Sequence, residues 1–301
     1  MTKVATENRA DIYQRVTDAI IAQLEAGTRP WAMPWKAGNA MRPLRHNGVP
    51  YSGINTLILW MMAQERGYTS PYWMTYKQAA ELGGQVRKGE RSSVVVYAGA
   101  MERSETDSNG ETIESRIPFL KTYCVFNAGQ IDNLPEHFTA QSFEHVAPTA
   151  RFECADAFVA ATGAMLRHGG NRAYYSPATD HIQMPPFEAF ISAEDYATTM
   201  LHELVHWSGA KTRLDRQFDS KRWGDEGYAA EECLAEICAS FLAADLGIAM
   251  QPREDHAAYL ASWLKVLKGD KRAIFTAASY AERAASYLHG FQKQDEEADA
   301  A

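Results

Sequence analysis

Apolar positions along the chain alternate between a spacing near four residues and a spacing of two, and these changes of period divide it into elements. Ile12, Val16, Ile20 and Leu24 mark one face of an amphipathic helix from Asp11 to Glu25, closed by Gly27. Tyr51-Ser52-Gly53-Ile54-Asn55 leads into a second helix through about Arg66, and a shorter one opens at Tyr72 to Lys77 and stops at Gly83-Gly84. A hairpin is expected next, with Lys88-Gly89-Glu90 at its turn and the β-branched run Ser93 to Tyr97 as a strand. Met101 to Ser115 is polar and acidic and reads as an exposed loop, after which Ile117 to Asn127 returns as a strand.

Gln130 to Thr149 has little periodicity and two prolines, Pro135 and Pro148, so it reads as a linker with a boundary near 140. Beyond it come a helix at Arg151 to Thr162 and a hairpin at Ala173 to Pro185 with its turn near Pro177 to Thr179. A helix follows from Ser192 as N-cap to Gly209 as the glycine just past its end, and another from Asp225 to Leu246. Ala257 to Leu267 and Ala273 to Leu288 are two more amphipathic helices, and the acidic tail from Gln292 is expected to be disordered. The predicted class is α+β in two domains, residues 1–140 and a mainly helical 141–291, with the tail 292–301.

At 301 residues, 46% hydrophobic and 23% charged, the chain can bury a core of ordinary size. Its longest wholly apolar run, Leu57 to Ala63, is far short of the roughly 20 residues that span a bilayer, so no membrane partner is expected. Met1 to Asp11 lacks an apolar export core, and Cys124, Cys154, Cys233 and Cys238 form no CxxC pair, which suits buried thiols in a reducing cytoplasm. There is no GxxxxGK loop, hence no expected nucleotide cofactor. Residues 1–100 carry 12 Lys and Arg against 7 Asp and Glu, whereas 141–301 carry 15 against 24, so a polyanion would meet the N-terminal part.

The densest chemistry lies in His202-Glu203-Leu204-Val205-His206. Residues four apart on a helix share a face, so His202 and His206 can grip one divalent metal, most plausibly zinc, with the Glu203 carboxylate beside them as a proton acceptor. Zn²⁺ lowers the pKa of a bound water towards roughly 7, which is peptidase chemistry. A catalytic zinc usually takes three protein ligands, and the later helix offers Glu231, Glu232 and Glu236. Glu232 is assigned as the ligand and Glu236, one turn on, as the carboxylate that accepts the free N–H of a ligand histidine; the spacing also permits the reverse. The plain alternative is an amphipathic surface helix with incidental histidines and a solvated acidic face.

A second pattern lies nearer the N-terminus, where aromatics alternate with cations. Trp31, Trp35, Lys36, Arg42, Arg45, Tyr51, Asn55, Trp73, Tyr76, Lys77 and Lys88 are the candidates for contact with single-stranded DNA. Unpaired bases stack on flat rings while cations follow the phosphates. Tryptophan is also a common core residue, so burial is the competing reading.

Asp11-Ile12-Tyr13, Leu24 to Thr28, Pro30-Trp31 with Pro34-Trp35, Tyr51 to Asn55, Leu82-Gly83-Gly84, Lys88-Gly89-Glu90 and Val125-Phe126-Asn127 together resemble the N-terminal domain of the ArdC-type antirestriction proteins of conjugative plasmids. The likeness runs through nearly all of residues 8 to 134. In that family the domain is a single-stranded DNA-binding module, found also at the front of some plasmid primases. His202 to Gly209, Arg213-Leu214 and Glu231-Glu232 with Ala235-Glu236 resemble the metallopeptidase domain that follows it, which is similar to the compact zincins of the SprT and ImmA kind. The resemblance implies His202, His206 and Glu232 as metal ligands and Glu203 as the group that activates water. It implies an antirestriction protein that binds single-stranded DNA of an incoming conjugative plasmid, with a zinc-dependent peptidase-like site and a protein substrate. The rivals are a pure DNA-occluding protein whose metal is structural, and a metal-dependent nuclease.

Overall fold

The computed structural model describes residues 2–31, 41–106, 112–138, 148–216, 227–249 and 257–293. Helix α1 (Thr2–Glu25) closes where Gly27 takes φ 77° and the Thr28 N–H reaches back to Gln23 O at 2.8 Å. This left-handed step ties off the last carbonyls of the helix, a job glycine does without strain. Strand β1 (Leu44–Arg45), helix α2 (Ile54–Arg66), strand β2 (Tyr72–Met74), helix α3 (Tyr76–Glu81) and strand β3 (Gln85–Val86) follow. Thr75 caps α3 through a reciprocal box with Gln78.

Two expectations about the next stretch are corrected. The turn at Lys88-Gly89-Glu90 does not join two strands of one hairpin: β3 pairs with β6 (Ile131–Asp132), whereas β4 (Ser93–Thr106) pairs with β5 (Thr112–Asn127). The polar run from Met101 is not a loop either, because β4 and β5 stay paired from Ser93↔Val125 out to Thr106↔Thr112. A two-stranded ribbon can pair half of its backbone groups across the ladder and leave the outward half to water, so its sequence need not alternate apolar and polar. The first sheet has the order β1-β2-β5-β4, with β1 parallel to β2 and the other pairs antiparallel.

The expected boundary near 140 falls among residues outside those described. Helix α4 (Pro148–Ala161) opens the C-terminal half, followed by β7 (Met165–His168), β8 (Tyr174–Ser176) and β9 (His181–Met184) in the order β7-β9-β8. The β8–β9 pair is the predicted hairpin, whereas β7, parallel to β9, had no signal in the sequence. Helices α5 (Ala193–Ser208), α6 (Gly227–Asp245), α7 (Ala257–Gly269) and α8 (Ala273–His289) complete the fold. Gln292, expected to begin the tail, donates to Phe158 O at 3.1 Å, and the tail beyond 293 lies outside the described residues.

Helix α6 is buried along almost its whole length, from Ala229 to Ala244. Its alanines, and Ala277, Ala278, Ala281 and Ala285 of α8, let backbones approach closely enough to close a dense helical core. The same hydrophobic cluster contains Ile12, Ile20, Trp31 and Trp60 from the N-terminal half, so the two halves share one interior. Arg42 ties them further: it is buried, pairs with Asp245 at 2.8 Å and Glu282 at 2.8 Å, and lies over the Phe241 ring. Of the thiols, Cys233 and Cys238 are buried as expected but Cys124 and Cys154 are exposed. No helix among the described residues is long and apolar enough to cross a membrane.

Candidate metal centre

Helix α5 begins where Ser192 Oγ accepts the Asp195 N–H at 3.1 Å, the cap read from the sequence. It ends at Gly209 with φ −78°, so this glycine is not a left-handed terminator. Its missing side chain serves a different purpose, because a Cβ there would stand 2.7 Å from Arg216 Nη2. Arg216 lies across the helix end and donates to Val205 O, to Ser208 Oγ at 2.7 Å and to Glu231 Oε1 at 2.8 Å.

His202 and His206 stand one turn apart with their Nε2 atoms 3.1 Å from each other. Glu232 of α6 offers one oxygen to each, Oε2 at 3.4 Å from His202 Nε2 and Oε1 at 3.4 Å from His206 Nε2. A tetrahedral site with bonds of about 2.0–2.1 Å has edges of about 3.3–3.4 Å, so these separations suit one zinc-sized cation. The remaining ring nitrogens face carboxylates: His202 Nδ1 lies 3.1 Å from Glu236 Oε1, and His206 Nδ1 lies 3.3 Å from Glu231 Oε1. A carboxylate at Nδ1 keeps the proton there and leaves the Nε2 lone pair for a cation. Two such lone pairs held this close repel one another unless a positive charge is shared between them. The donor set therefore fits a divalent metal.

The electrostatics agree with that fit. Burial opposes a charge on His202, yet Glu232, Glu236 and Glu203 outweigh it and push its pKa up to about 10. Burial would raise Glu231 and Glu232, but His206 and Arg216 hold the first below the usual carboxylate range, and His202, His206 and Tyr228 do the same for the second. The N-terminal half reaches the centre as well: Arg29 Nη1 is 3.5 Å from Glu236 Oε2, so the carboxylate behind His202 is held from the far side of the chain.

The centre opens into a cleft of about 1780 Å³ lined by His202, Glu203, His206 and Glu232 together with Tyr174, Tyr175 and Tyr228. Strand β8, which carries Tyr174 and Tyr175, is an edge strand of its sheet. Arg213 fastens that hairpin to α5, pairing with Asp180 at 2.6 Å and lying 4.0 Å over the Trp207 ring. Tyr175 completes the clasp through its hydroxyl, which donates to Asp180 at 2.8 Å. His181 is buried in the hairpin with Nδ1 2.6 Å from Thr179 Oγ1. His181 is not part of the cluster of side chains that could hold a metal.

The candidates for DNA contact divide sharply. Trp31 and Trp73 are fully buried, Trp31 edge-on to Trp263 at 5.6 Å, so neither shows a ring face to solvent. Tyr51 is buried, which pushes its pKa up to about 12. Asn55 spends both ends of its amide on Val96 N and O at 2.8 Å, and Arg42 is the buried tie already described. Arg45 lies 5.5 Å over the Tyr51 ring. Tyr76, Lys77 and Lys88 do face solvent, and Tyr76 and Lys88 share a shallow pocket with Arg87. Trp35 and Lys36 lie outside the described residues. Sequence reasoning had not placed Glu231 behind His206, and it missed Arg216 and Arg29. Arg29 lies far from the motif in sequence and Arg216 lies past the end of its helix, so helical spacing drew in neither.

Comparison with known proteins fits this anatomy. Residues 10–126 match the N-terminal domain of anti-restriction factor ArdC, and residues 153–280 match a zincin-like metallopeptidase. An uncharacterized protein, y4eC, of Sinorhizobium fredii is 43% identical over 94% of this chain and 92% of its own length. DNA primase TraC of Escherichia coli is 41% identical over 97% of this chain, which spans 28% of the primase. Two crystal structures of the antirestriction ArdC protein from the R388 plasmid are similar throughout. The metal-free one is 49% identical, covers 93% of this chain and 97% of its own, and has a TM-score of 0.79. The Mn(II)-bound one is 48% identical, covers 94% and 98%, and has a TM-score of 0.76.

Fold and site together define a two-domain α+β protein in which a zincin-like domain follows a distinct N-terminal domain. The chain belongs to the ArdC antirestriction family.

Proposed function

We propose that this protein binds the single-stranded DNA of an entering conjugative plasmid and carries a zinc-dependent peptidase site that acts on proteins met there. The observation that carries the second part is the convergence of His202, His206 and Glu232 within 4.8 Å, with Glu236 and Glu231 behind the two rings. His202, His206 and Glu232 would hold the cation, and when bound it would act as a Lewis acid towards a water and a substrate carbonyl. The chain's own groups do the rest. Glu203, buried on the cleft wall, accepts the proton of the attacking water and returns it to the leaving amine. Edge strand β8 offers unpaired backbone groups to an extended peptide, which would lie across the cleft as another strand. Support for a divalent cation comes also from the R388 protein, whose structure holds Mn(II).

Exposed Tyr76, Lys77, Lys88 and Arg45 are retained as DNA contacts. Protection in the cytoplasm of a plasmid recipient is the setting that family membership favours. Glu203→Gln tests the reading: it should keep zinc and single-stranded DNA binding and lose peptide hydrolysis. Full hydrolysis by that variant would remove Glu203 from the reaction. Unchanged plasmid protection by it would favour protection by DNA occlusion alone, with the metal in a structural role.

A further inference from the structure

Sequence reading placed the DNA-facing aromatics before residue 90, but the ribbon β4–β5 carries a better platform. The register Val95↔Tyr123, Tyr97↔Lys121 and Gly99↔Phe119 puts these side chains on one face of the pair. Near its base the face is buried, with Val95 and Val125 packed against Leu59, Ala63 and Trp73. Past that point it emerges into solvent as Tyr97, 54% exposed, and Tyr123, 46% exposed. Phe119 lies across Gly99, where a Cβ would stand 2.4 Å from its Cζ, so glycine lets the ring rest flat on the strand. The ring is 5.9 Å from Tyr97, and Lys121 Nζ sits 4.9 Å above it.

We infer that Tyr97 and Tyr123 are a stacking platform for unpaired nucleobases, with Phe119 packed beside Tyr97 as its support and Lys121 held for the phosphates; the inference rests on the single-strand reading above. An apolar interface alone would not need a cation poised among its rings, and no carboxylate stands on this face at positions 93–99 or 119–125. Alternate residues of a strand are about 6.8 Å apart. That is twice the roughly 3.4 Å rise of a stacked strand, so neighbouring rings accept bases already separated from one another. Rings on a projecting ribbon also reach a strand that need not enter any groove, which suits binding without sequence preference.

The test compares the full-length protein on fluorescent oligo-dT and on an abasic oligomer of equal length and charge, by anisotropy at fixed salt. Wild type should prefer oligo-dT. Tyr97→Leu and Tyr123→Leu keep apolar bulk but remove the ring, and each should weaken oligo-dT binding about fivefold or more while leaving the abasic oligomer unaffected. The double variant should bind both oligomers nearly alike. Variants that keep the wild-type preference, with unchanged unfolding temperature, overturn the platform and leave the single-strand reading intact. Absence of wild-type binding to either oligomer removes both. A change in sedimentation mass without a change in DNA affinity would assign the face to contact between copies and overturn the inference.

Discussion

Replacing Glu236 by glutamine probes the support behind His202, one of the proposed metal ligands. The side chain is 3% exposed and lies 3.1 Å from His202 Nδ1, so its charge acts on that ring through little solvent. At an effective dielectric of about 20, unit charges about 3 Å apart interact by about 5 kcal/mol, most of which the cost of burying the carboxylate offsets. What remains visible at the metal should be a 10- to 100-fold loss of affinity, or about 1.4–2.7 kcal/mol. Glutamine keeps the shape and an acceptor oxygen, so the loss reports the missing charge. Zinc affinity would be measured by competition with a chromophoric chelator at constant pH. The equivalent change at Glu231 serves as a comparison: Arg216 stands 2.8 Å from Glu231 whereas Arg29 stands 3.5 Å from Glu236, so Glu231→Gln should lower stability more than Glu236→Gln does. A Glu236→Gln protein whose zinc affinity stays within twofold of wild type would refute the argument that Glu236 tunes His202.

Other outcomes follow from the same contacts. In metal-free protein the folded His202 pKa of about 10 lies above the unfolded 6.5, so its contribution is full below about pH 6.5 and lost as pH rises towards 10. The unfolding temperature of the apo form should therefore fall over that window. Zinc affinity should strengthen over the same window, because the metal displaces the proton, and His202→Gln should flatten both trends. Arg42→Ala strands the carboxylates of Asp245 and Glu282 and should cost about 3–5 kcal/mol in urea unfolding. Gly209→Ala pushes Arg216 off the helix end, so zinc affinity should fall while the helix content seen by circular dichroism holds; unchanged affinity would show that Arg216 has room to move.

Periodicity and punctuation are local properties, and the elements that depend on them were legible in the chain. The helix from its Ser192 cap carries two histidines one turn apart because 3.6 residues make a turn, whatever surrounds them. The same holds for the closure of α1 at Gly27 and for the β8–β9 hairpin. Long-range pairing decided the rest. Composition could not show that polar residues from 101 onward form a ribbon, since cross-strand hydrogen bonds and water together satisfy the backbone with no apolar code. Nor could it say which tryptophans are core. Trp31 is buried because α7 supplies Trp263 to cover it, and that neighbour is more than 200 residues away. At the candidate metal centre, spacing on α6 narrowed the acids to three, but only packing of α6 on α5 set Glu232 against both Nε2 atoms and Glu231 and Glu236 against the backs of the rings. Arg29 and Arg216 joined them for the same reason: buried carboxylates need countercharge, and a folded chain supplies it from whichever segment lies closest in space.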